Sequence, residues 1–305
     1  MTIDFTNCLH NKYRSYGGSN GNKLAVIYNN ENYMIKFPNK PKYITDISYA
    51  NSCISEYIGC NIFKSTGFET QETMLGKYHT KNGFKIVVAC KDFVSLQSRL
   101  MPFSELKNKT IDSSHNGFGT EMSDILETIE TQSLMSSKEV KEYFWNMFIV
   151  DSLIGNFDRH NGNWGFIVNE LQGEVQFSPI YDCGSGLYPQ ISEKQMLDVM
   201  SDENKINERI FVFPTSQIKL NNTKINYFDF ISSLNNRDCN FALKTMYQKI
   251  QMDKIFDIVD STPLINDVQK EFYKLMLKER KEKILDFSYN KLLEQQKKIK
   301  KDIER

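Results

Sequence analysis

Between Gly155 and Gly165 the chain reads Gly-Asn-Phe-Asp158-Arg-His160-Asn-Gly-Asn163-Trp-Gly, and 19 residues after Asn163 an apolar run delivers Asp182, followed by Cys-Gly184-Ser-Gly186. Two carboxylates and an amide at these intervals are the residue types that phosphoryl transfer requires. Magnesium takes oxygen ligands, usually one or two carboxylates completed by substrate phosphates and water. A further carboxylate must orient the attacking hydroxyl, and an amide can hold a second metal without adding negative charge. A base and an amide five residues apart, then a metal-binding aspartate beyond a short hairpin, is the order found where ATP is the phosphate donor. Asp158 and Asn163 have that interval, and Asp182 has that place. The spacing Asp-x4-Asn alone arises often by chance; the hairpin and the Asp-x-Gly make it informative. His160 is the other catalytic-loop candidate, as a group that packs or hydrogen-bonds to orient Asp158 and Asp182 or, alternatively, as an acid–base group.

The nucleotide-holding half is expected upstream. Lys36 stands alone in Tyr33-Met-Ile-Lys-Phe37, where strand alternation sets it on the face opposite Ile35 and Phe37. By itself such a lysine is most simply an exposed edge residue. Glu56, amid apolar residues of the helix that follows, makes a Lys–Glu pair possible, the pair that steadies nucleotide phosphates. Gly17-Gly18-Ser19-Asn20-Gly21-Asn22-Lys23 precedes the lysine strand, and its glycines let backbone N–H groups approach phosphate. It matches neither Gly-x4-Gly-Lys-[Ser/Thr] nor Gly-x-Gly-x-x-Gly. The apolar strand Val87–Asp92 runs into a connection, and Ala89, Cys90, Lys91 and Asp92 are expected to read adenine through their backbone.

These residues need elements to place them. Residues 1–93 read as a small α/β unit: strands at 24–28 and 33–37 with a turn at Asn29–Asn32, then a helix carrying Ile47, Ala50, Ile54, Tyr57, Ile58 and Ile62 at three- and four-residue steps. Thr45 or Asp46 could cap that helix, and Gly67 lies past its end. Two more strands follow near 72–78 and 85–90, joined by a turn at His79–Gly83. Residues 94–140, rich in Ser, Lys and Asn, read as a connection with helical pieces and one mobile loop around His115. From 138 to 305 the pattern is helical. It opens with a strong helix over 138–155 and is interrupted by a hairpin, 164–168 and 175–178, around Gly173. Trp145 and Trp164 read as core. Lys278–Arg305 is charged throughout and reads as a solvated helix that frays, with membrane-surface or partner contact as the alternative.

Composition narrows the class. Lys+Arg and Asp+Glu both number 38, so the net charge is zero, which argues against a whole-molecule electrostatic nucleic-acid binder. No run approaches the ~18 apolar residues of a membrane span, and the N-terminus lacks the basic start and apolar stretch of a secretory signal. The six cysteines form no Cys-x-x-Cys pair and read as reduced, mostly buried thiols, consistent with a cytoplasmic protein.

With Tyr33-Met-Ile-Lys-Phe-Pro38, Ser55-Glu-Tyr57, Val88-Ala-Cys-Lys-Asp-Phe93, Leu153–Gly165 and Tyr181-Asp-Cys-Gly-Ser-Gly-Leu-Tyr-Pro189 added to the glycine loop, the chain resembles the HipA-like serine/threonine kinases, and among them the compact bacterial proinflammatory type. The Asp-Arg-His-Asn motif followed by Asp-x-Gly is also similar to that of phosphatidylinositol 3- and 4-kinases. The resemblance implies an α+β, bilobal kinase-like fold: an N-terminal lobe over 1–93 with a small antiparallel sheet, and a mainly helical C-terminal lobe over 94–305. It implies ATP and Mg2+ as cofactors and transfer to serine or threonine of a protein. On matching positions it implies Asp158 as base, Asn163 and Asp182 as magnesium ligands and Lys36 as the nucleotide-phosphate lysine. The larger HipA toxins carry extra N-terminal sequence and an antitoxin partner, whereas this chain starts almost at the glycine loop. The compact relatives imply export by a route without a signal peptide and action on a host protein. A lipid kinase is the second reading, from Asp-Arg-His-x-x-Asn and the basic tail. A nucleotide-binding regulator is the third, against which stands the complete set Lys36, Asp158, Asn163 and Asp182. Autophosphorylation at Ser19 would place about −1.5 to −2 charges beside the ATP phosphates and limit itself.

Overall fold

The computed structural model describes residues 2–16, 23–38, 50–110 and 116–303. The glycine-loop candidates Gly18, Ser19, Asn20, Gly21 and Asn22, the cap candidates Thr45 and Asp46, and His115 lie outside the described residues.

The first layer is a six-stranded sheet of β1 (Ile3–Asp4), β2 (Leu9–His10), β3 (Lys23–Tyr28), β4 (Glu31–Lys36), β5 (Thr73–Thr80) and β6 (Gly83–Lys91). Its order is β1-β5-β6-β4-β3-β2, antiparallel apart from the β1–β5 pair. The β3–β4 turn is tighter than the expected four residues. Asn29 and Asn30 alone make it, with φ +50° and +63°, the left-handed pair that suits the twist of a two-residue hairpin. Strand alternation then sorts the side chains. Phe5, Val26, Tyr33, Ile35, Val87 and Ala89 form one buried cluster, while Met34, Leu75, Val88 and Cys90 pack on the other face with Cys53 and Tyr57 of α1 (Ser52–Ser65). Lys36 is two residues from Met34, so it shares the α1 face. Helix α1 follows Asn51 and ends before Gly67 at φ +94°.

The second layer surrounds α4 (Ser137–Ile154), eleven of whose residues are buried. Before it come β7 (Arg99–Pro102), α2 (Phe103–Thr110) and α3 (Met122–Thr131); after it, β8 (Gly165–Asn169) and β9 (Glu174–Phe177). Strand β7 falls in the stretch expected to be connection and helix. It pairs with β8 to make a three-stranded sheet, a long-range contact that a polar local composition does not reveal. The remainder is α5 (Glu193–Met200), α6 (Glu203–Phe211), the small hairpin β10 (Lys219–Leu220) and β11 (Thr223–Lys224), α7 (Tyr227–Ser233), α8 (Arg237–Lys249), α9 (Met252–Ser261), α10 (Asp267–Arg280), a π-helical stretch Lys281–Asp286 and α11 (Phe287–Ile303).

Trp145 and Trp164 are buried as expected. Trp164 stacks on Phe103 at 4.1 Å between centroids, and its carbonyl accepts the Phe103 N–H, so the catalytic-loop candidate and the β7–α2 junction are packed as one body. Truncating such a buried ring to Ala costs about 3–5 kcal/mol. The charged C-terminal stretch departs from expectation. Arg280, Ile284, Leu285, Ser288 and Leu292 are buried, so it joins the core up to about residue 292, and only the following turns are solvated. Its charged residues mask a helical apolar stripe that continues through them. Among the described residues no helix is long and apolar enough to cross a membrane. All six cysteines are free thiols, five of them buried.

Candidate active site

Helix α4 ends at Gly155, whose φ of +63° turns the chain out of the helix while its N–H donates to the Asp151 carbonyl. The loop that follows is fastened from below. Asp151 is 1% exposed, and the Arg159 guanidinium clasps it through Nε–Oδ2 at 3.0 Å and Nη2–Oδ1 at 3.2 Å. The same guanidinium donates from Nη1 to the carbonyls of Asn163 at 2.9 Å and Tyr181 at 2.6 Å. One side chain therefore sets the relative positions of the end of α4, Asn163 and the residue before Asp182. Burial pushes the Asp151 carboxyl up from its ordinary range, and Arg159 opposes it. A buried pair of this kind adds little net stability but costs about 3–5 kcal/mol when one partner is lost. Asn156 continues the fastening: its Nδ2 donates to Asp151 Oδ1 at 2.9 Å, and its Oδ1 accepts the Asp158 N–H at 3.1 Å.

His160 stands beside Asp158, its N–H donating to the Asp158 carbonyl at 2.8 Å. His160 Nδ1 accepts the Gly162 N–H at 3.0 Å, and its ring meets Phe118 edge-on, so it shapes the loop tip. Asn163 donates Nδ2 to the Asp158 carbonyl at 2.9 Å, which leaves its side-chain oxygen as a donor for a cation. The Asp158 carboxyl is raised above its ordinary range by burial, with the charge of Asp182 adding to the effect and His160 opposing it.

Lys36, Glu56 and Asp182 come together from three distant stretches. Lys36 Nζ lies 3.1 Å from Glu56 Oε2 and 3.0 Å from Asp182 Oδ1. Glu56, 1% exposed, also accepts the Asp182 N–H through Oε1 at 3.0 Å. Asp182 sits at φ +58°, a conformation that aspartate tolerates better than most residues, and the glutamate contact holds it there. Close approach is needed around it. A Cβ on Gly59 of α1 would fall 2.7 Å from Cys183 Cβ, and one on Gly184 would fall 3.1 Å from Glu56 Oε2. The charge of Lys36 holds the Asp182 carboxyl down at about 2. Burial would lower the Lys36 ammonium, but Asp182 and Glu56 outweigh it and hold it well above its ordinary value. Lys23, opposite Lys36 in the strand register, is a second cation here that the sequence reading left inside the glycine loop. Burial and the charge of Lys36 lower its ammonium.

These groups line one cleft of about 980 Å3, which holds Lys23, Lys36, Glu56, Asp158, His160, Asn163 and Asp182. Of the expected adenine-reading segment, only Asp92 lines the cleft. Ala89 and Cys90 lie mid-sheet, flanked on both sides by β4 and β5, and the Lys91 side chain turns to Glu31 and Glu72. None of the three lines the cleft; Asp92, Phe93 and Val94 do. Asp92 is itself engaged, its Oδ2 by Arg14 Nε at 2.6 Å and Tyr16 O–H at 3.1 Å, its Oδ1 by the Val94 N–H at 3.0 Å. Among the described residues no three His, Cys, Asp or Glu side chains converge as a metal cage. The donors present, one carboxylate and one amide oxygen beside a cation-lined cleft, suit a hard divalent ion that completes its shell with substrate phosphates and water.

A family model described as the HipA-like C-terminal domain matches residues 15–228. The chain is 48% identical over 294 residues to the serine/threonine-protein kinase CtkA of Helicobacter pylori, covering 96% of this chain and 89% of that protein. The crystal structure of a Helicobacter pylori proinflammatory kinase CtkA superposes with a TM-score of 0.89 at 47% identity, covering 96% of this chain and 98% of that one. HipA of Shewanella oneidensis, solved with HipB and its operator DNA, gives 0.55 at 16% identity over 91% of this chain and 67% of that one, a likeness of fold alone.

Proposed function

This chain belongs to the HipA-like C-terminal domain family and is a serine/threonine-protein kinase using ATP and a divalent metal, and from that premise we propose how its own residues divide the work. Lys36, held by Glu56, fixes the nucleotide phosphates, with Lys23 adding a second positive charge at the same end of the cleft. Asp182 and Asn163 would hold the metal, for which Mg2+ is our assignment because both offer hard oxygen donors; bound there, it would supply positive charge toward the nucleotide phosphates. Asp158 orients the serine or threonine hydroxyl and accepts its proton, and the raised carboxyl brings its basicity closer to the working pH. Arg159 acts through Asp151, Asn163 and Tyr181 as a positioning residue. Asp92–Val94 form the hinge at the adenine end. The two lobes, 1–93 and 94–305, meet at that hinge. Catalysis of this kind is positioning and charge stabilisation, with little covalent work for the protein.

The observation that carries this reading is the convergence of Lys36, Glu56 and Asp182 within 3.1 Å in the cleft that also holds Asp158 and Asn163. Transfer of labelled phosphate from Mg·ATP to protein, with nucleotide binding measured in parallel, tests it. Asp158→Ala is expected to keep nucleotide binding and lose transfer, and Asp182→Ala to lose metal-dependent binding. Undiminished single-turnover transfer in Asp158→Ala removes that residue from the mechanism. A host protein as acceptor is supported by the proinflammatory description of the solved relative, and transfer in host-cell extract cleared of its own kinases checks it.

A further inference from the structure

The acceptor side of the cleft is built from pieces fastened to the catalytic loop, and they present a defined chemistry. Phe157, immediately before Asp158, has its ring 5.4 Å from that of Phe213. Phe213 is 37% exposed and Val212 is 62% exposed, so two apolar side chains stay in contact with water beside the loop that carries the base. Their place is fixed. The Phe213 N–H donates to the Glu208 carbonyl at 3.1 Å, and a Cβ on Gly155 would fall 2.8 Å from Pro214 Cγ.

The β10–β11 hairpin carries Lys224 exposed on it. The hairpin is equally well tied. The Lys219 N–H donates to the Thr120 carbonyl at 2.8 Å, and the Glu121 carboxylate accepts the N–H groups of Asn221 and Asn222 at 2.6 and 3.0 Å. Tyr227, just after it in sequence, donates its hydroxyl to the Asn156 carbonyl inside the catalytic loop at 2.5 Å. The charge of Lys224 acts on Asp158, yet among the described residues no carboxylate lies within 4.0 Å of its ammonium. A rigid apolar step and a cation with no carboxylate within 4.0 Å among the described residues, on segments tied to the catalytic loop, complement a segment with the opposite charge.

We propose that the acceptor protein offers its serine or threonine in an extended segment with a bulky apolar side chain on the Phe157–Phe213 step and an Asp or Glu side chain facing Lys224. The inference rests on the protein-kinase reading and deepens it by naming the class of acceptor sequence.

The test is an arrayed peptide set around a central serine, each flanking position varied in turn, with the full chain, Mg·ATP and labelled transfer. ATP hydrolysis without peptide is measured alongside. Wild type is expected to select Leu, Ile or Phe at one flanking position and Asp or Glu at another. Lys224→Glu is expected to exchange the acidic preference for Lys or Arg, by about tenfold in relative rate, as reversal of one exposed charge allows. Phe213→Ser is expected to flatten the apolar preference. Preferences are read as ratios between peptides within each variant, with peptide-free hydrolysis as the control for that variant, and Lys224→Gln, with wild-type melting, gives an intermediate acidic preference. Indifference of wild type to the flanking residues, or wild-type selectivity in both variants, overturns the proposal. So does transfer to intact protein with none to any peptide, or a Lys224-dependent transfer to phosphoinositide vesicles. Loss of ATP hydrolysis as well as of all transfer in wild type is the separate result that would bring down the kinase reading beneath it.

Discussion

Lys36→Met tests the buried charge arrangement directly. Glu56 is 1% exposed, and its two oxygens meet the Lys36 ammonium at 3.1 Å and the Asp182 N–H at 3.0 Å. Remove the ammonium and the remaining partners are neutral, the amide and the Cys60 thiol at 4.0 Å. Stranding one member of a buried pair costs about 3–5 kcal/mol, and the retained amide bond to the carboxylate offsets part of that, so a loss of about 2–4 kcal/mol is expected. With ~2.1 cal/mol/K per residue for unfolding and 305 residues, this is a fall of roughly 3–6 °C in Tm. Lys36→Met with Glu56→Leu should be more stable than Lys36→Met alone, because no charge is then stranded, although neither transfers phosphate. Thermal unfolding followed by circular dichroism at neutral pH measures all three proteins. If Lys36→Met melts within about 1 °C of wild type, the reasoning from a desolvated pair is wrong.

Arg159→Met should strand Asp151 and free Asn163 and Tyr181, lowering kcat by about 100-fold or more with a smaller change in nucleotide Kd; Arg159→Lys should not rescue, because one ammonium cannot span those partners in the planar fork that guanidinium provides. Gly59→Ala would gain about 1 kcal/mol of helix propensity yet should lower both Tm and kcat, since its Cβ would sit 2.7 Å from Cys183 Cβ and force α1 off the Asp182 loop. Asp182 has a folded-state carboxyl near 2 against an ordinary 3.8, so its contribution to stability is present above 3.8 and lost as pH falls towards 2. Asp182→Asn should flatten that acid limb in urea unfolding, and an unchanged limb would assign the acid loss elsewhere. Chelation of divalent ions should abolish transfer, and added Mg2+ should restore it.

Much of this was legible because single residues broke a pattern. Lys36 interrupts an apolar strand and Glu56 an apolar helix, and each anomaly found the other in space. Where β6 leaves its sheet was not legible, because an apolar run does not mark that point; pairing on both sides of Ala89 and Cys90 decides it. Arg159 was missed although its signal was present. Asp151 occupies the apolar stripe of α4 with Phe144, Met147, Phe148 and Ile154, and a carboxylate there requires a cationic partner, which Arg159 supplies eight residues on. Strand β7 had no local signature, since its partner β8 lies more than sixty residues away. The C-terminal stretch was judged by its lysines, whereas Arg280 is buried and donates to the carbonyls of Ser152 and Arg209 at 2.7 and 3.1 Å.

The ammonium wedged between Glu56 and Asp182 also governs the order in which visitors can be accepted. An isolated cation meets an oxygen whose charge is already countered at 3.0 Å, and must displace a tethered rival to bind. An isolated nucleotide finds Lys36 shared with two carboxylates. On the proposed assignment, a metal–triphosphate pair would resolve both conflicts in one event, the phosphates drawing Lys36 away and leaving Asp182 to the metal. Neither component should load well by itself, so the cleft behaves as a coincidence detector for the chelate.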